Sequence, residues 1–176
     1  DAVRITTGIK RRLRIGHLVP HNLVATVGPK LLRVAMTDPL LTAAELTAFL
    51  ARDFEQVKDD FTVDEITTQG IKLRLNVAER HLRPGGTVSG PAMFGLADVG
   101  AYLAILSRIG LEALTVTTNC SIDFMRKPIA GKDVICDVRL LKLGRQLAVC
   151  DALVFSDGDD RPVARASLTY SIPPKQ

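Results

Sequence analysis

Ser89-Gly90-Pro91-Ala92-Met93-Phe94-Gly95-Leu96-Ala97-Asp98-Val99-Gly100-Ala101-Tyr102-Leu103-Ala104-Ile105-Leu106-Ser107-Arg108-Ile109 is the stretch on which the fold turns. Ser89 is a helix cap, and proline suits the opening turn, where its missing N–H costs nothing. From Ala92 to Ile109 the run is apolar on nearly every side. A surface helix would show a polar face, so this one must be covered by other structure. Alanines and glycines along it (Ala92, Gly95, Ala97, Gly100, Ala101, Ala104) let other backbone come close, and Gly110 stops the helix.

The flanking segments supply the cover. Upstream, Thr42-Ala-Ala-Glu45 is a capping box. Leu46, Phe49, Leu50, Phe54 and Val57 follow at helical spacing, which predicts an amphipathic helix over 43–57. Ile71, Leu73, Leu75 and Val77 then alternate with polar residues as a strand, with residues 61–69 as its hairpin partner and Gly70 at the turn. The segment 81–86 is a breaker cluster and reads as loop. Downstream, residues 114–124, 132–143, 146–155 and 162–172 are strand-like, and the connections at Gly144 and Gly158 are short enough to favour antiparallel neighbours. The expectation is an α+β domain: about six antiparallel strands curled around one long central helix, preceded by an amphipathic helix.

Composition narrows the function classes. Of 176 residues 47% are apolar, enough for a real core, and with no Trp that core is aliphatic. The net charge of +4 is unevenly spread: residues 1–35 hold seven of the 23 basic side chains and one of the 19 acids. The remaining body is slightly acidic and lacks the basic face of a nucleic-acid binder. The central run, broken by Asp98, Ser107 and Arg108, reads as a core helix and not as a membrane span. The basic segment 1–35 reads as an extension outside the fold, non-native or disordered, with Met36 as the natural start and residues 36–176 as the domain. Cys120, Cys136 and Cys150 are odd in number and widely spaced, which speaks against a disulfide framework or a zinc site and for buried thiols in the cytoplasm. No metal is expected.

Asp98 is the informative residue. It is the sole charge between Arg83 and Arg108, set among Leu96, Ala97, Val99 and Ala101. Carboxylates are rarely buried unless paired, and one buried without a partner titrates in the range a general base uses. The bland alternatives are that Asp98 meets solvent at a gap in the sheet, or pairs with Arg83 or Arg108. The helix start is the second feature. Amides at 90–93 carry partial positive charge that stabilises an oxyanion, and Gly90 lets a carbonyl group approach.

These residues resemble the hotdog-fold thioesterases of the phenylacetate-degradation (PaaI) type. The matching segments are Gly86-Thr-Val-Ser-Gly90-Pro-Ala-Met-Phe-Gly-Leu-Ala-Asp98, Thr117-Thr-Asn-Cys-Ser-Ile-Asp-Phe-Met-Arg-Lys-Pro128, Leu141-Lys-Leu-Gly-Arg145 and Ala164-Arg-Ala-Ser-Leu-Thr-Tyr170, within roughly 60–172. The resemblance implies an acyl-CoA thioesterase that works as a dimer or a pair of dimers, with active sites at the subunit interface. Asp98 would activate water or attack the thioester, Gly90 would supply an oxyanion amide, and Thr117 or Thr118 would position water. Arg126, Lys127, Lys142 and Arg145 would hold the CoA phosphates, and Ser89, Arg83 and Phe94 would face substrate. Met93, Phe94, Tyr102 and residues of the partner chain would line the acyl pocket. No cofactor is implied beyond the coenzyme A of the substrate, and no nucleic acid or membrane as partner. Where the family carries His-Gly-Gly, this chain has Ser89-Gly90-Pro91, which removes one donor and keeps the Gly90 amide. Where it carries Asn, this chain has Arg83, either a substrate-facing cation or a partner for Asp98. The alternative reading is a non-catalytic acyl-CoA or fatty-acyl binder on the same fold. A hydratase lacks its motif here.

Overall fold

A computed structural model of the protein describes residues 38–174. The assignment of residues 1–35 to an extension falls outside the described residues.

Helix α1 (Ala43–Asp53) opens with the predicted box: Thr42 Oγ1 accepts from the Glu45 amide and Glu45 Oε2 accepts from the Thr42 amide. It ends four residues earlier than its periodicity suggested. Phe54 leaves helical geometry, and a single 3₁₀ turn (Glu55–Val57) follows, so Leu46, Phe49 and Leu50 are buried while Phe54 is exposed. Strands β1 (Phe61–Ile66) and β2 (Gly70–Leu75) form the first hairpin. Thr67 Oγ1 closes its turn by accepting from the amides of Gln69 and Gly70. Gly70 is therefore not in the turn but starts β2. It is glycine because a Cβ there would stand 1.9 Å from the Val138 carbonyl oxygen on the neighbouring strand.

The predicted loop at 81–86 carries more structure than expected. A 3₁₀ turn (Glu79–His81) leads into a short ladder of β3 (Leu82–Arg83) and β4 (Thr87–Val88), which turns on Gly85 and Gly86 at positive φ. His81 is buried: its Nδ1 accepts from the Ala78 amide and its Nε2 faces Asp60. It ties the loop down and has no part in the site described below.

Helix α2 (Gly90–Ile109) is the predicted core helix. By length and composition it would suit a membrane span, yet about two thirds of that stretch is buried inside the fold. Its cover is one antiparallel sheet of β5 (Val116–Phe124), β6 (Val134–Leu143), β7 (Leu147–Ser156) and β8 (Ala164–Ser171) with the first hairpin, in the order β1-β2-β6-β7-β8-β5. Alternate residues of β6, β7 and β8 point at the helix, among them Cys136, Val138, Cys150, Ala152, Leu168 and Tyr170, all buried. This is the hotdog arrangement, and its sheet ends on β5, whose outer edge has no neighbour among the described residues.

The Gly70 contact is backbone against backbone, so no side-chain rotation relieves it. Gly70→Ala is expected to destabilise the fold by about 2–3 kcal/mol, the upper range of overpacking penalties. A thermal melt against wild type checks this.

Candidate active site

Asp98 projects from the middle of α2 toward the end of the sheet where β8 meets β5, and it is half-buried. It is not an unpartnered charge. Thr117 Oγ1 donates to Asp98 Oδ1 at 2.7 Å, and the Tyr170 hydroxyl lies 2.7 Å from the same oxygen. The Tyr170 hydroxyl is also 2.7 Å from the Asp98 backbone carbonyl. Both proposed cationic partners are engaged elsewhere: Arg108 donates to the Thr67 carbonyl at 2.6 Å, and Arg83 Nε donates to Thr87 Oγ1 at 3.0 Å. Among the described residues, Asp98 has no ion pair within the chain.

The resemblance offered Thr117 or Thr118 as the hydroxyl that positions water, and the structure separates them. Cys120 and Ile122 are the half-buried positions of β5, so unbroken alternation would turn Thr118 inward. A β-bulge between Thr117 and Asn119 inserts Thr118 as an extra residue, which swaps the faces. Thr117 then pairs directly across from Tyr170, and Thr118 donates to the Thr169 carbonyl at 3.1 Å.

The carboxylate lies in a cleft of about 350 Å³ walled by Val99 and Tyr102 of α2, Thr115 to Thr117, and Phe49, Asp53 and Phe54 at the end of α1. The contribution of α1 was not foreseen. Nor was Tyr170, although a tyrosine on the buried face of a strand needs an acceptor for its hydroxyl, and that signal was there to be read. Burial, and next the charge of Asp98, push the Tyr170 phenol well above its usual range.

Gly90 lies at a different place. A Cβ on Gly90 would come within 3.2 Å of the Phe124 ring at the far end of β5. Of the helix's first amides, that of Ala92 is taken by Ser89 Oγ at 3.3 Å and that of Met93 by the Ser89 carbonyl at 3.1 Å. Pro91 has none. Among the described residues the Gly90 N–H is the one of them with no acceptor, so the predicted group of four amides reduces to one. It opens on a second cleft of about 400 Å³ lined by Arg83, Met93, Phe124, Met125, Arg126 and Lys127.

The remaining predicted residues divide. Arg126 and Lys127 are exposed beside Gly90, with Arg126 also donating to the Pro162 carbonyl at 2.8 Å. Lys142 and Arg145 are exposed near the β6–β7 turn, and Arg145 lines a third cavity at the C-terminal end of α2, with Arg108 and Ile109. Within one chain they do not join the Gly90 cations. Ser89 is the helix cap. Tyr102 lines the Asp98 cleft and Met93 the Gly90 cleft, whereas Phe94 is exposed and lines neither. Among the described residues, no group of His, Cys, Asp and Glu is arranged to hold a metal ion.

The thioesterase superfamily pattern matches residues 85–163. A crystal structure of a "putative thioesterase" from Silicibacter sp. TM1040 is 54% identical, aligning over 80% of this chain and 97% of that one with a TM-score of 0.75. "Putative esterase PA0474" of Pseudomonas aeruginosa is 33% identical over 56% of this chain and 72% of its own length.

The chain belongs to the thioesterase superfamily.

Another solved structure, smu.793 from Streptococcus mutans UA159 bound to acetyl CoA, is 24% identical, covering 67% of this chain and 92% of that one with a TM-score of 0.59. It shares the fold.

The thiols nearest the helix separate by burial. Burial pushes the Cys150 thiol up to about 12 and raises Cys136 further. Since the thiolate is the reactive form, neither is expected to react with a thiol reagent at pH 8 in the folded protein. Both should label once the chain is unfolded, which mass spectrometry of alkylated peptides checks.

Proposed function

We propose that this thioesterase-superfamily chain hydrolyses acyl-CoA thioesters to the free acid and CoA, with Asp98 as general base. The observation that carries the reading is that the two hydroxyls that meet the Asp98 carboxylate among the described residues, Thr117 and Tyr170, both fall on Oδ1, which leaves Oδ2 for a water molecule. Thr117 gives its only proton to Oδ1 and keeps its lone pairs. A water can donate one hydrogen to Thr117 Oγ1 and the other to Oδ2, with its own lone pair aimed into the cleft. Oδ2 takes a proton as the water oxygen bonds to the thioester carbon. The carbonyl becomes an oxyanion held by a backbone N–H. The C–S bond then breaks, and the departing CoA thiolate takes up the proton from Asp98.

The oxyanion donor must come from a second chain. Gly90 and Asp98 are eight residues apart on one helix, a rise of about 12 Å, too far to serve one carbonyl. Strand β5 resolves the difficulty. Its outer edge is open, and its ends Val116 and Phe124 are 54% and 52% exposed. Asp98 is tied to its first end through Thr117, and Gly90 packs on its last end through Phe124. If β5 pairs antiparallel with β5 of another copy, the first end of one strand meets the last end of the other. Asp98 of one protomer then faces Gly90 of its partner, twice per dimer. Arg83, Arg126 and Lys127 arrive with that Gly90, placed for the CoA phosphates. The acetyl CoA held by the Streptococcus mutans protein supports a CoA thioester as substrate.

Thiol release from a panel of acyl-CoAs tests the chemistry. Asp98→Asn is expected to lower kcat by about 10²–10⁴, the usual worth of a general base. Thr117→Val should cost about 10–100-fold and Thr118→Val little, because only the first hydroxyl touches Asp98. Binding of acyl-CoA without release by wild type would instead favour the non-catalytic binder.

Protomer mixing tests the shared site. An Asp98→Asn chain and a Gly90→Val chain should each be inactive alone. Their purified heterodimer has one intact pair and should recover about half the wild-type rate per dimer, since a two-fold interface is used twice. No recovery would place the whole site within one chain and sink this part of the reading.

A further inference from the structure

We propose that Tyr170 is a positioning residue: together with Thr117 it locks Asp98 Oδ1, and so decides that Oδ2 is the oxygen that handles the attacking water. This deepens the hydrolytic reading above and rests on it.

The phenol oxygen lies 2.7 Å from two acceptors without protons, Asp98 Oδ1 and the Asp98 carbonyl, with the Thr117 hydroxyl beside it. The phenol must therefore be protonated and donate. Tyr170 has no freedom to do otherwise. It is 2% exposed, and its ring stacks on Tyr102 with centroids 6.5 Å apart and planes 21° apart. Its partner in the clamp is its direct cross-strand neighbour, Thr117. A carboxylate on a helix is free to turn about its last bond, which exchanges its two oxygens. Two donors on one oxygen, both fixed by the same pair of hydrogen-bonded strands, stop that exchange. Being fully donated to, Oδ1 is the poorer base, and the water is left to Oδ2.

Tyr170→Phe removes the hydroxyl and keeps the ring. The expected result is a loss of about 10–100-fold in kcat, the worth of one charge-assisted hydrogen bond, with KM within about twofold and the variant still folded at the assay temperature, though melting somewhat lower. In an Asp98→Asn background the same substitution should cost nothing further. A Tyr170→Phe enzyme with wild-type kcat, or one with an equal loss in both backgrounds, overturns the assignment. If wild type itself releases no thiol, the hydrolytic reading fails instead.

A second measurement needs no turnover. The chain has two tyrosines and no tryptophan, so absorbance at 295 nm follows two phenols alone. Both are held up by burial, Tyr102 with help from the charges of Asp53 and Glu112, and Tyr170 with help from Asp98 and, weakly, Cys150 of β7. Asp98→Asn removes a charge from Tyr170 alone. The phenol that ionises last in wild type should ionise at lower pH in the variant. Identical titrations would show that Tyr170 does not touch Asp98, whatever the enzyme's activity.

Discussion

The structure depends on how a single carboxylate is accommodated on a helix otherwise made for burial. A charge held within α2 costs several kcal/mol unless something donates to it. The sheet supplies two hydroxyls at one point, and this requires three features to agree. Strands β5 and β8 must be in the register that sets Thr117 opposite Tyr170. The bulge at Thr118 must bring Thr117 round to the helix side. Tyr170 must be buried deeply enough that Asp98 is its natural acceptor. A uniform β5 would point Thr118 at the helix, and Asp98 would keep one donor in place of two.

The same helix is the reason the proposed site draws on a second molecule. An α-helix offers a partial positive charge at its N-terminus and side chains along its length, but its pitch keeps position 90 about 12 Å from position 98. No repacking within the chain removes that distance. Strand β5 has one end at each of these positions and, among the described residues, an unpaired edge of nine residues. Such an edge is a liability for aggregation in a monomer. Self-pairing in an antiparallel sense removes the liability and closes the 12 Å gap in one step. On this reading the dimer is a requirement of the chemistry as much as of solubility.

Much of this was legible in the sequence, and the reasons divide cleanly. The central helix, its cap, the capping box at Thr42 and the alternating strands are local signals, and all appear where their periodicity put them. Asp98 stood out as a charge within an apolar run, and Gly90 as the start of that helix. What local reading missed depends on neighbours remote in sequence. Gly70 looks like a turn glycine until the Val138 carbonyl is seen against it. The breaker cluster before the helix conceals a small ladder and a buried His81. The choice between Thr117 and Thr118 is made by a bulge, which a period-two count cannot contain. Tyr170 was seen as part of a matching strand and given no role, since only the sheet register brings position 170 to position 98.

The split among the predicted cations follows from the same geometry. Arg83, Arg126 and Lys127 surround Gly90, while the apolar walls of Phe49, Phe54, Val99 and Tyr102 surround Asp98. A CoA thioester is itself divided this way, with charged phosphates far from an apolar acyl group and the reacting carbonyl between them. One chain presents the two surfaces at separate places. A β5-to-β5 dimer sets the cationic cleft of one protomer against the apolar cleft of the other, with the scissile bond at their junction. The Lys142 and Arg145 positions, on a turn by the C-terminal end of α2, gain no such place from that pairing. Phosphate recognition in this reading therefore falls to the cations that travel with the oxyanion amide.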